Sequence, residues 1–495
     1  MEFKKIFALF FLCFPAGMGA FGQQTISLTL EETIRLAQEQ SIDAMIVRNA
    51  FLGNYWSFRS HRAELLPSLN FSAGIANFDR SQRALQDAGT GEIYYRTNYN
   101  MNNSATVSID QQVAATGGTL SLASSLNRLD QYRPVRDITY YSQPVTLSYL
   151  QPLFTYNRLR WDKKIEPEKF ERSKREYLES MEEVTLKAVR YFYSLATAQL
   201  NYDIAVGNYS QMKTMYGIAA RRHEQTGSVT RSELLQLELR MVNDSLSIST
   251  RENDYKARLM EFRSFLGYND KADLQLDRTE QVPELRMEVG FVLEKTLENG
   301  SFRIDQEISR LESDRSVAQA RANRGVSVSV STQFGLSNNA GKLPAAYSDL
   351  LNHEIFGINL RVPIVDWGMG KGRVKMAQTQ QKITLAHLEQ ALTDLEQNVY
   401  LEVVQFNAQR DKLRMARRAN RIAEERYELT VKDFAAGMIS VTDLNTAQSE
   451  KDAANMSYLT ELSNFWIYYF SIRKMTLYDF GTNTDISAEY DKLLE

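Results

Sequence analysis

Apolar and polar positions repeat with two different periods along this chain. From Leu30 to about Ala63, apolar residues recur at helical spacing without a proline, which predicts a helix of about 34 residues. The same spacing predicts further helices at about 168–225, 230–265, 292–322, 375–435 and 440–475. At a rise of 1.5 Å per residue, the longest would span roughly 85–100 Å, a length that indicates coiled coil.

Between the first and second helix of each half, the period changes to two. Apolar and small polar residues alternate in four segments, at residues 68–75, 145–149, 326–331 and 358–362. This alternation is typical of a membrane-barrel strand with one lipid face and one wet face, although a half-buried strand of a soluble sandwich has the same pattern. An extra alternating hairpin spans 105–113 and 119–126, around Gly117-Gly118. The sequence leaves open whether this hairpin joins the barrel.

Proline and glycine residues that recur at a fixed offset indicate an internal duplication. Pro152 is matched by Pro363, 211 residues later, and Gly227 is matched by Gly437, 210 residues later. Two matches at nearly one offset define a repeated unit. We predict a first repeat at 23–280, with strands at about 66–152 and a long helix hairpin at about 160–268. The second repeat is predicted at 281–480, with strands at about 325–364 and a helix hairpin at about 372–478, before a polar tail at 481–495.

The N-terminal residues predict export. Lys4 and Lys5 precede an apolar run from Ile6 to Phe14, and Ala20-Phe21-Gly22 is typical of a cleavage site, so residues 1–22 are predicted to be a signal peptide. The single cysteine, Cys13, lies inside that signal. Beyond it, no stretch approaches the roughly 18 consecutive apolar residues of a membrane helix, so any spanning segment should be a barrel strand. Four strands cannot close a barrel, and the subunit is therefore expected to oligomerise.

A signal peptide, a duplicated helix–strand–strand–helix–helix unit, a proline ending the last strand of each unit and a G-x-x-[ST]-x-x-[DE] turn together resemble the TolC-like outer membrane factors, or outer membrane efflux proteins. The similarity runs from about Leu28 to Tyr478. It implies a mixed α and β membrane protein with internal duplication. The implied homotrimer forms an outer-membrane β-barrel from four strands per subunit, continued by a long periplasmic α-helical coiled-coil barrel.

The resemblance also implies a function, partners and site residues. The chain would be the passive outer-membrane channel of a tripartite efflux or type I secretion system, contacting outer-membrane lipid, a periplasmic adaptor and a proton-driven or ATP-driven inner-membrane pump. The adaptor-docking tips match Thr226, Gly227, Ser228, Val229, Ala436, Gly437, Met438 and Ile439. The periplasmic aperture matches Asp443, Glu233 and Phe434, while Thr446 stands where the family has a second carboxylate. The strand-end prolines are Pro152 and Pro363.

Two of the aperture residues have a second interpretation. Ser440-Val441-Thr442-Asp443 and Thr230-Arg231-Ser232-Glu233 both have the spacing of a helix capping box. Capping and a ring of carboxylates at a narrow tip are compatible, because a capping side chain can remain exposed. We therefore expect Asp443 to cap its helix and hypothesise that three copies of it favour cations.

The sequence offers no pattern for catalysis, a cofactor or a metal. The histidines are scattered, and Gly368-Met369-Gly370-Lys371-Gly372 has the spacing of neither common phosphate-binding loop. A formal net charge of −3 gives no basic footprint for nucleic acid. We predict a protein that is not an enzyme. The alternative function is a periplasmic coiled-coil scaffold or adhesin without channel activity. Cargo, pump and gating lie beyond the sequence.

Overall fold

The computed structural model of the chain describes residues 25–86, 89–133, 135–227, 229–268, 273–277 and 282–493. The predicted signal peptide lies outside these residues. The structure is mixed α and β, and its strands occur in two blocks flanked by helices, as the sequence predicted. The helices are α1 Leu30–Gln40, α2 Ile42–Glu64, α3 Arg158–Thr226, α4 Arg231–Phe265, α5 Val289–Asn299, α6 Phe302–Arg324, α7 Met369–Ala436 and α8 Val441–Thr476. The strands are β1 Thr25–Leu28, β2 Ser68–Gln86, β3 Ile93–Val113, β4 Gly118–Gln131, β5 Asp137–Leu153, β6 Asp273–Leu276, β7 Ser327–Ala340, β8 Leu351–Arg361, β9 Tyr478–Asp479 and β10 Thr484–Asp485.

The first predicted helix of each repeat is divided into two. Ser41 is extended at the end of α1, where its N–H donates to the carbonyl of Ala37. The Oγ of Ser41 then accepts from the N–H of Ala44 at 3.0 Å and so caps α2. In the second repeat, Gly300 and Ser301 separate α5 from α6 in the same place. A helical apolar period continues across both breaks, and only the first of them is capped by a serine side chain.

The long helices begin earlier than predicted. α3 starts at Arg158, because the Oδ1 of Asn157 accepts from the N–H of Arg160 at 3.1 Å. It accommodates Pro167 in its interior. α7 starts at Met369, where Asp366 accepts from the N–H groups of Gly368 and Gly370 at 2.9 and 2.8 Å. Local side-chain caps, rather than the charged stretch that follows, determine both starts.

Six strands form one antiparallel sheet in the order β2-β3-β4-β5-β7-β8. Four of them contain the predicted segments, and β3 and β4 contain the hairpin whose membership the sequence left open. The hairpin is inserted between β2 and β5, pairing with both. Pro152 is the penultimate residue of β5, and Pro363 follows the end of β8. Both prolines therefore lie at the same end of their strands, where ladder hydrogen bonds are no longer needed.

The described chain divides into two compact units. The first comprises residues 25–45, Met181–Leu285 and Phe406–Ser471, and includes the turn regions of both long helix hairpins. The β1 and β6 strands pair in parallel within it. The second unit comprises Ile46–Ser180, Arg286–Gln405 and residues 472–493, and it contains the six-stranded sheet.

The C-terminal segment is packed in the second unit. Tyr490 contacts the rings of Phe51 and Tyr177, with centroid distances of 5.4 and 6.2 Å, and its hydroxyl donates to the carbonyl of Lys174 at 3.2 Å. Burial raises the pKa of Tyr490. The segment is polar in composition, and Tyr490 is the aromatic residue that packs it against the helices of the second unit.

Across the described ranges, no helix is both long and apolar enough to cross a membrane.

Candidate functional site

The turn between α3 and α4 is built around one left-handed glycine. Gly227 has φ +63°, and its N–H donates to the carbonyl of His223 at 3.2 Å. Two residues before α4, Val229 is buried and its carbonyl contacts the Nδ1 of His223 at 2.6 Å. The predicted docking residues Thr226, Gly227 and Val229 thus border one tight turn, whereas Ser228 lies outside the described residues.

The turn between α7 and α8 repeats this design. Gly437 has φ +83°, and its N–H donates to the carbonyl of Phe434 at 3.0 Å. The N–H of Met438 donates to the carbonyl of Asp433 at 2.9 Å, which closes the end of α7. Met438 is 70 % exposed and is the most prominent apolar side chain of the turn. A left-handed residue at each site explains why glycine recurs there.

Both following helices are capped as the sequence predicted. In α4, the Oε2 of Glu233 accepts from the N–H of Thr230 at 2.7 Å, and the Oγ1 of Thr230 accepts from the N–H of Glu233 at 3.2 Å. In α8, the Oδ2 of Asp443 accepts from the N–H of Ser440 at 3.2 Å, and the N–H of Asp443 donates back to the Oγ of Ser440 at 3.2 Å. The capping interpretation of both carboxylates is confirmed.

Hydrogen bonding keeps these two carboxylates ionised. The main-chain N–H and the hydroxyl of Thr230 lower the pKa of Glu233. The hydroxyl of Ser440, followed by its N–H, lowers the pKa of Asp443. Glu233 is partly exposed and Asp443 is exposed. Each side chain can therefore cap its helix while presenting a negative charge to water.

Arg222 links the two turns. Its Nη1 donates to the main-chain oxygen of Phe434 at 3.1 Å, which connects the last turn of α3 to the last turn of α7. A Cβ on Gly437 would stand 2.0 Å from the Nη2 of Arg222. The positive φ of Gly437 favours glycine, and a side chain there would also displace the Arg222 guanidinium from this hydrogen bond. This role of Arg222 is not visible in the sequence, because only the fold brings α3 beside α7.

A hydrophobic cluster, which we call the tip core, lies beside the turns. Phe434 is 2 % exposed within it, and Val229 contributes from the first turn. The remaining buried members come from all four helices: Met212, Met215, Ala219, Leu234, Leu237, Tyr427, Val441, Leu444 and Ala447. Of the predicted aperture residues, Asp443 and Thr446 are exposed, Glu233 is partly exposed, and Phe434 is internal. The aperture and adaptor-docking roles of these residues stay predictions.

A partly buried set of polar residues, which we call the polar layer, adjoins the tip core. The Nδ2 of Asn208 donates to the Oδ2 of Asp452 at 2.6 Å, joining α3 to α8. The hydroxyl of Tyr427 donates to the Oε1 of Gln211, joining α7 to α3. Lys451 lies over the Tyr427 ring, with its Nζ 4.2 Å from the centroid. The polar layer thus ties the two helix hairpins together by hydrogen bonds.

Burial changes the proton affinity of the polar layer. It raises the pKa of Asp452, against the opposing hydrogen bond from Asn208 and the charges of Lys451 and Arg240. It likewise raises the pKa of Asp244, whose Oδ1 pairs with the Nε of Arg240 at 3.2 Å. The pKa of Tyr427 rises to about 12. Sequence reasoning missed these residues because each is an isolated polar position in an ordinary helical pattern.

The site has the features of a joint between helices, and the described residues contain no group of three or more His, Cys, Asp or Glu side chains placed to hold a metal. Two glycine turns, two caps and an arginine link shape the ends of four helices, and the polar layer joins the two hairpins further along them. Such an arrangement can bind another protein surface at its turns. It can also hold the two helix hairpins together or let them separate.

Comparisons with known proteins agree with this architecture. Residues 305–465 match the family described as outer membrane efflux protein. No curated protein matches the chain by sequence. Among crystal structures, the Campylobacter jejuni CmeC outer membrane channel is 16 % identical, with a TM-score of 0.65 over 97 % of this chain and 93 % of that one.

Two further structures give the same result. The outer membrane protein VceC of Vibrio cholerae is 12 % identical, with a TM-score of 0.60 over 90 % of this chain and 95 % of that one. The Neisseria gonorrhoeae MtrE outer membrane channel, in its open state, is 14 % identical, with a TM-score of 0.57 over 93 % of this chain and 91 % of that one. At these identities the likeness establishes the fold, and the resemblance predicted from sequence is confirmed. Residues 305–465 match the outer membrane efflux protein family, and the chain as a whole has the fold of these outer-membrane channel structures.

Proposed function

We propose that this chain is the outer-membrane channel subunit of an efflux system, a passive duct that works as a homotrimer. We further propose that a periplasmic adaptor connects this channel to an inner-membrane pump, in a tripartite efflux or a type I secretion system. The energy for transport comes from the pump, so this chain needs no catalytic group. The observation that carries the proposal is the character of the six-stranded sheet.

The sheet exposes an apolar face. Along β2, Leu69 and Phe71 are 73 % and 72 % exposed, and along β8 Phe356, Ile358 and Leu360 are comparably open. The alternate residues of these strands are polar, such as Asn70 and Asn359. A sheet that leaves large apolar side chains open on one side and polar ones on the other fits a wall between lipid and water.

The edges of the sheet support assembly. β2 and β8 are its outer strands, and each pairs on one side within the chain. In lipid, unpaired N–H and C=O groups cost several kcal/mol each, so both edges need partners. We propose that β8 of one copy pairs with β2 of the next and that three copies close the barrel.

The helices also leave apolar seams open. On α4, Leu235, Leu239, Val242 and Leu246 follow the spacing of a coiled-coil seam and are all exposed. On α7, Met415, Ile422 and Leu429 recur every seven residues and are likewise exposed. We propose that neighbouring copies cover these seams. The turns at Gly227 and Gly437, with Met438 between helices, are proposed to dock the adaptor, and Asp443 and Glu233 to line the aperture.

A pair of matched variants tests the channel proposal. Ile358→Arg places a charge on the apolar face of β8, where it would cost about 2–4 kcal/mol at the middle of a membrane. Asn359→Arg places the same charge on the polar face of the same strand. We expect wild type and Asn359→Arg to form trimers that resist detergent, dissociate on heating and conduct ions in planar bilayers. Ile358→Arg should fail to assemble.

Two results would contradict the proposal. Equal assembly of both arginine variants would mean that the apolar face does not meet lipid. A water-soluble monomer without conductance, in the wild type, would favour the scaffold or adhesin alternative.

A further inference from the structure

The inserted hairpin β3–β4 departs from the pattern of two strands between helices that the second repeat follows. The pairing of β3 with β2 extends from the pair Gln86–Ile93 to the pair Ser68–Asp110. The pairing of β4 with β5 extends from the pair Gln131–Asp137 to the pair Thr119–Leu150. Its turn, after Val113, lies at the same end of the sheet as the start of β2 and the end of β5. The hairpin therefore runs the full height of its neighbours.

One row of cross-strand partners shows that the apolar face continues through the hairpin. From β2 to β7 the row contains only large, exposed apolar residues, and on the edge strand β8 it ends at Glu354; its apolar members are Leu69, Ile109, Leu122, Leu147 and Phe334. The hairpin members Ile109 and Leu122 are each 43 % exposed, the same value as Leu147 on the core strand β5. The hairpin thus presents to the outside the same surface as the strands on both sides of it.

The adjoining row shows that the polar face continues as well. From β2 to β7 it runs through Ser68, Asp110, Ser121, Ser148 and Gln333, and on the edge strand β8 it ends at Ile355. The Oδ2 of Asp110 accepts from the Nδ2 of Asn70 at 2.9 Å, which ties β3 to β2. The Oγ of Ser125 donates to the Oε1 of Gln143 at 3.0 Å, which ties β4 to β5. Side-chain hydrogen bonds therefore join the hairpin to the sheet on both flanks of this face.

We propose that β3 and β4 are part of the membrane wall, so that each subunit supplies six strands and a trimer closes an eighteen-stranded barrel instead of the twelve-stranded one that four strands per subunit would form. This inference rests on the proposed function. It assigns the acyl chains of lipid as the partner of Val107, Ile109, Leu120 and Leu122, and the aqueous lumen as the surroundings of Ser108, Asp110 and Ser121.

Backbone pairing is the physical reason. β2 and β5 pair with the hairpin and not with each other. If the hairpin projected out of the membrane, β2 and β5 would have to lose every pairing that they make with it and pair with each other, because open backbone groups in lipid cost several kcal/mol each. Barrel diameter grows roughly linearly with strand number, so six strands per subunit would make the barrel about one and a half times as wide. The hairpin would therefore enlarge the outer mouth of the duct without altering its periplasmic tips.

Variants of the full chain with one introduced cysteine each test the inference. The sequence has one cysteine, Cys13, and wild type labelled in parallel measures its contribution. Val107→Cys and Ser108→Cys report on the hairpin, and Leu147→Cys and Ser148→Cys report on β5. Each variant is labelled with a small fluorophore and reconstituted in vesicles. Brominated phospholipid then quenches labels in lipid, and iodide quenches labels in water.

The expected result is the same alternation on both strands. Labels at 107 and 147 should lose fluorescence to brominated lipid, and labels at 108 and 148 to iodide. Alternation at 147 and 148 with iodide quenching at both 107 and 108 would overturn the hairpin inference alone. Absence of lipid quenching at 147 in folded trimers would instead contradict the proposed function. Electron microscopy of the trimer gives an independent count, in which twelve strands in place of eighteen would also overturn the inference.

Discussion

Arg222 and Phe434 join the two long helices at their ends, through a 3.1 Å hydrogen bond from the Nη1 of the arginine to the main-chain oxygen of the phenylalanine. The bond fixes the relation between the two turns of the first unit, because Arg222 is five residues before Gly227 and Phe434 is three residues before Gly437. If one helix hairpin moves relative to the other, this hydrogen bond must break or the Arg222 side chain must move with it. The tip core and the two caps lie at the same end of the helices, and the polar layer begins at Asn208, about four turns away along α3.

Gly437→Ala should destabilise the tip more than Gly227→Ala. Both changes place an alanine at positive φ, which costs roughly 1–2 kcal/mol. At Gly437 the new Cβ also meets Arg222, whereas among the described residues nothing lies within 4 Å at Gly227. Loss of a hydrogen bond from a charged donor adds about 1.5–3 kcal/mol. Thermal and denaturant unfolding, followed by circular dichroism, measures the difference.

A double variant supplies the control for this prediction. In Arg222→Ala with Gly437→Ala, the clash is absent, and the added cost of the glycine change should fall to that of Gly227→Ala. Additive losses in the double variant would show that Arg222 and Gly437 do not interact.

Phe434→Ala should unfold the tip core locally. Its buried ring is surrounded by residues of the four helices, and removal of such a ring typically costs about 3–5 kcal/mol. Met438→Ala, four residues later, changes an exposed side chain and should stay within about 0.5 kcal/mol. Hydrogen exchange of the residues around both turns measures the local stability. Equal protection in the two variants would contradict the packing of Phe434.

Asp443→Asn should reduce the preference of the channel for cations. The lowered pKa of Asp443 keeps it charged at neutral pH, and three copies at one aperture would repel anions. Reversal potentials of single channels in a salt gradient measure the selectivity. Ser440→Ala is the matched control, because it weakens the same cap and retains the carboxylate. If both variants change selectivity equally, the effect comes from the cap and not from the charge.

Asp452→Asn should stabilise the first unit at neutral pH and flatten its pH dependence. Burial raises the pKa of Asp452 above its ordinary value of 3.8, so the folded state binds a proton more tightly than the unfolded state. This contribution is complete below pH 3.8 and is lost as the pH rises through the folded pKa. Asparagine has no charge to bury, and its amide oxygen can still accept from Asn208.

The measurement is the unfolding midpoint of wild type and variant across acid and neutral pH. Caps give the opposite trend and serve as the internal comparison: the lowered pKa of Asp443 contributes stability above its ordinary value of 3.8 that is lost as the pH falls towards the folded pKa. A midpoint of Asp452→Asn that follows wild type at every pH would contradict the burial of this charge.

The sequence by itself determined the elements and their order. Periods of 3.6 and 2 separate helices from strands, because each reports which side of a local backbone meets an apolar surface. The recurrence of Pro152 and Gly227 as Pro363 and Gly437 revealed the duplication, and the spacing of Ser440 and Asp443 predicted a cap that is local to four residues. Each of these features depends on neighbours in the chain.

The tertiary structure alone decided which surfaces meet. The break at Ser41 preserves the apolar period and so leaves no trace in it. The pairing of β3 with β2 and of β4 with β5, the burial of Phe434 and the reach of Arg222 from one hairpin to the other all join residues distant in sequence. A strand of a membrane barrel and a strand of a projecting hairpin have the same alternation of apolar and polar residues. The alternation shows that one side of the strand is apolar, but it does not show whether lipid or protein covers that side.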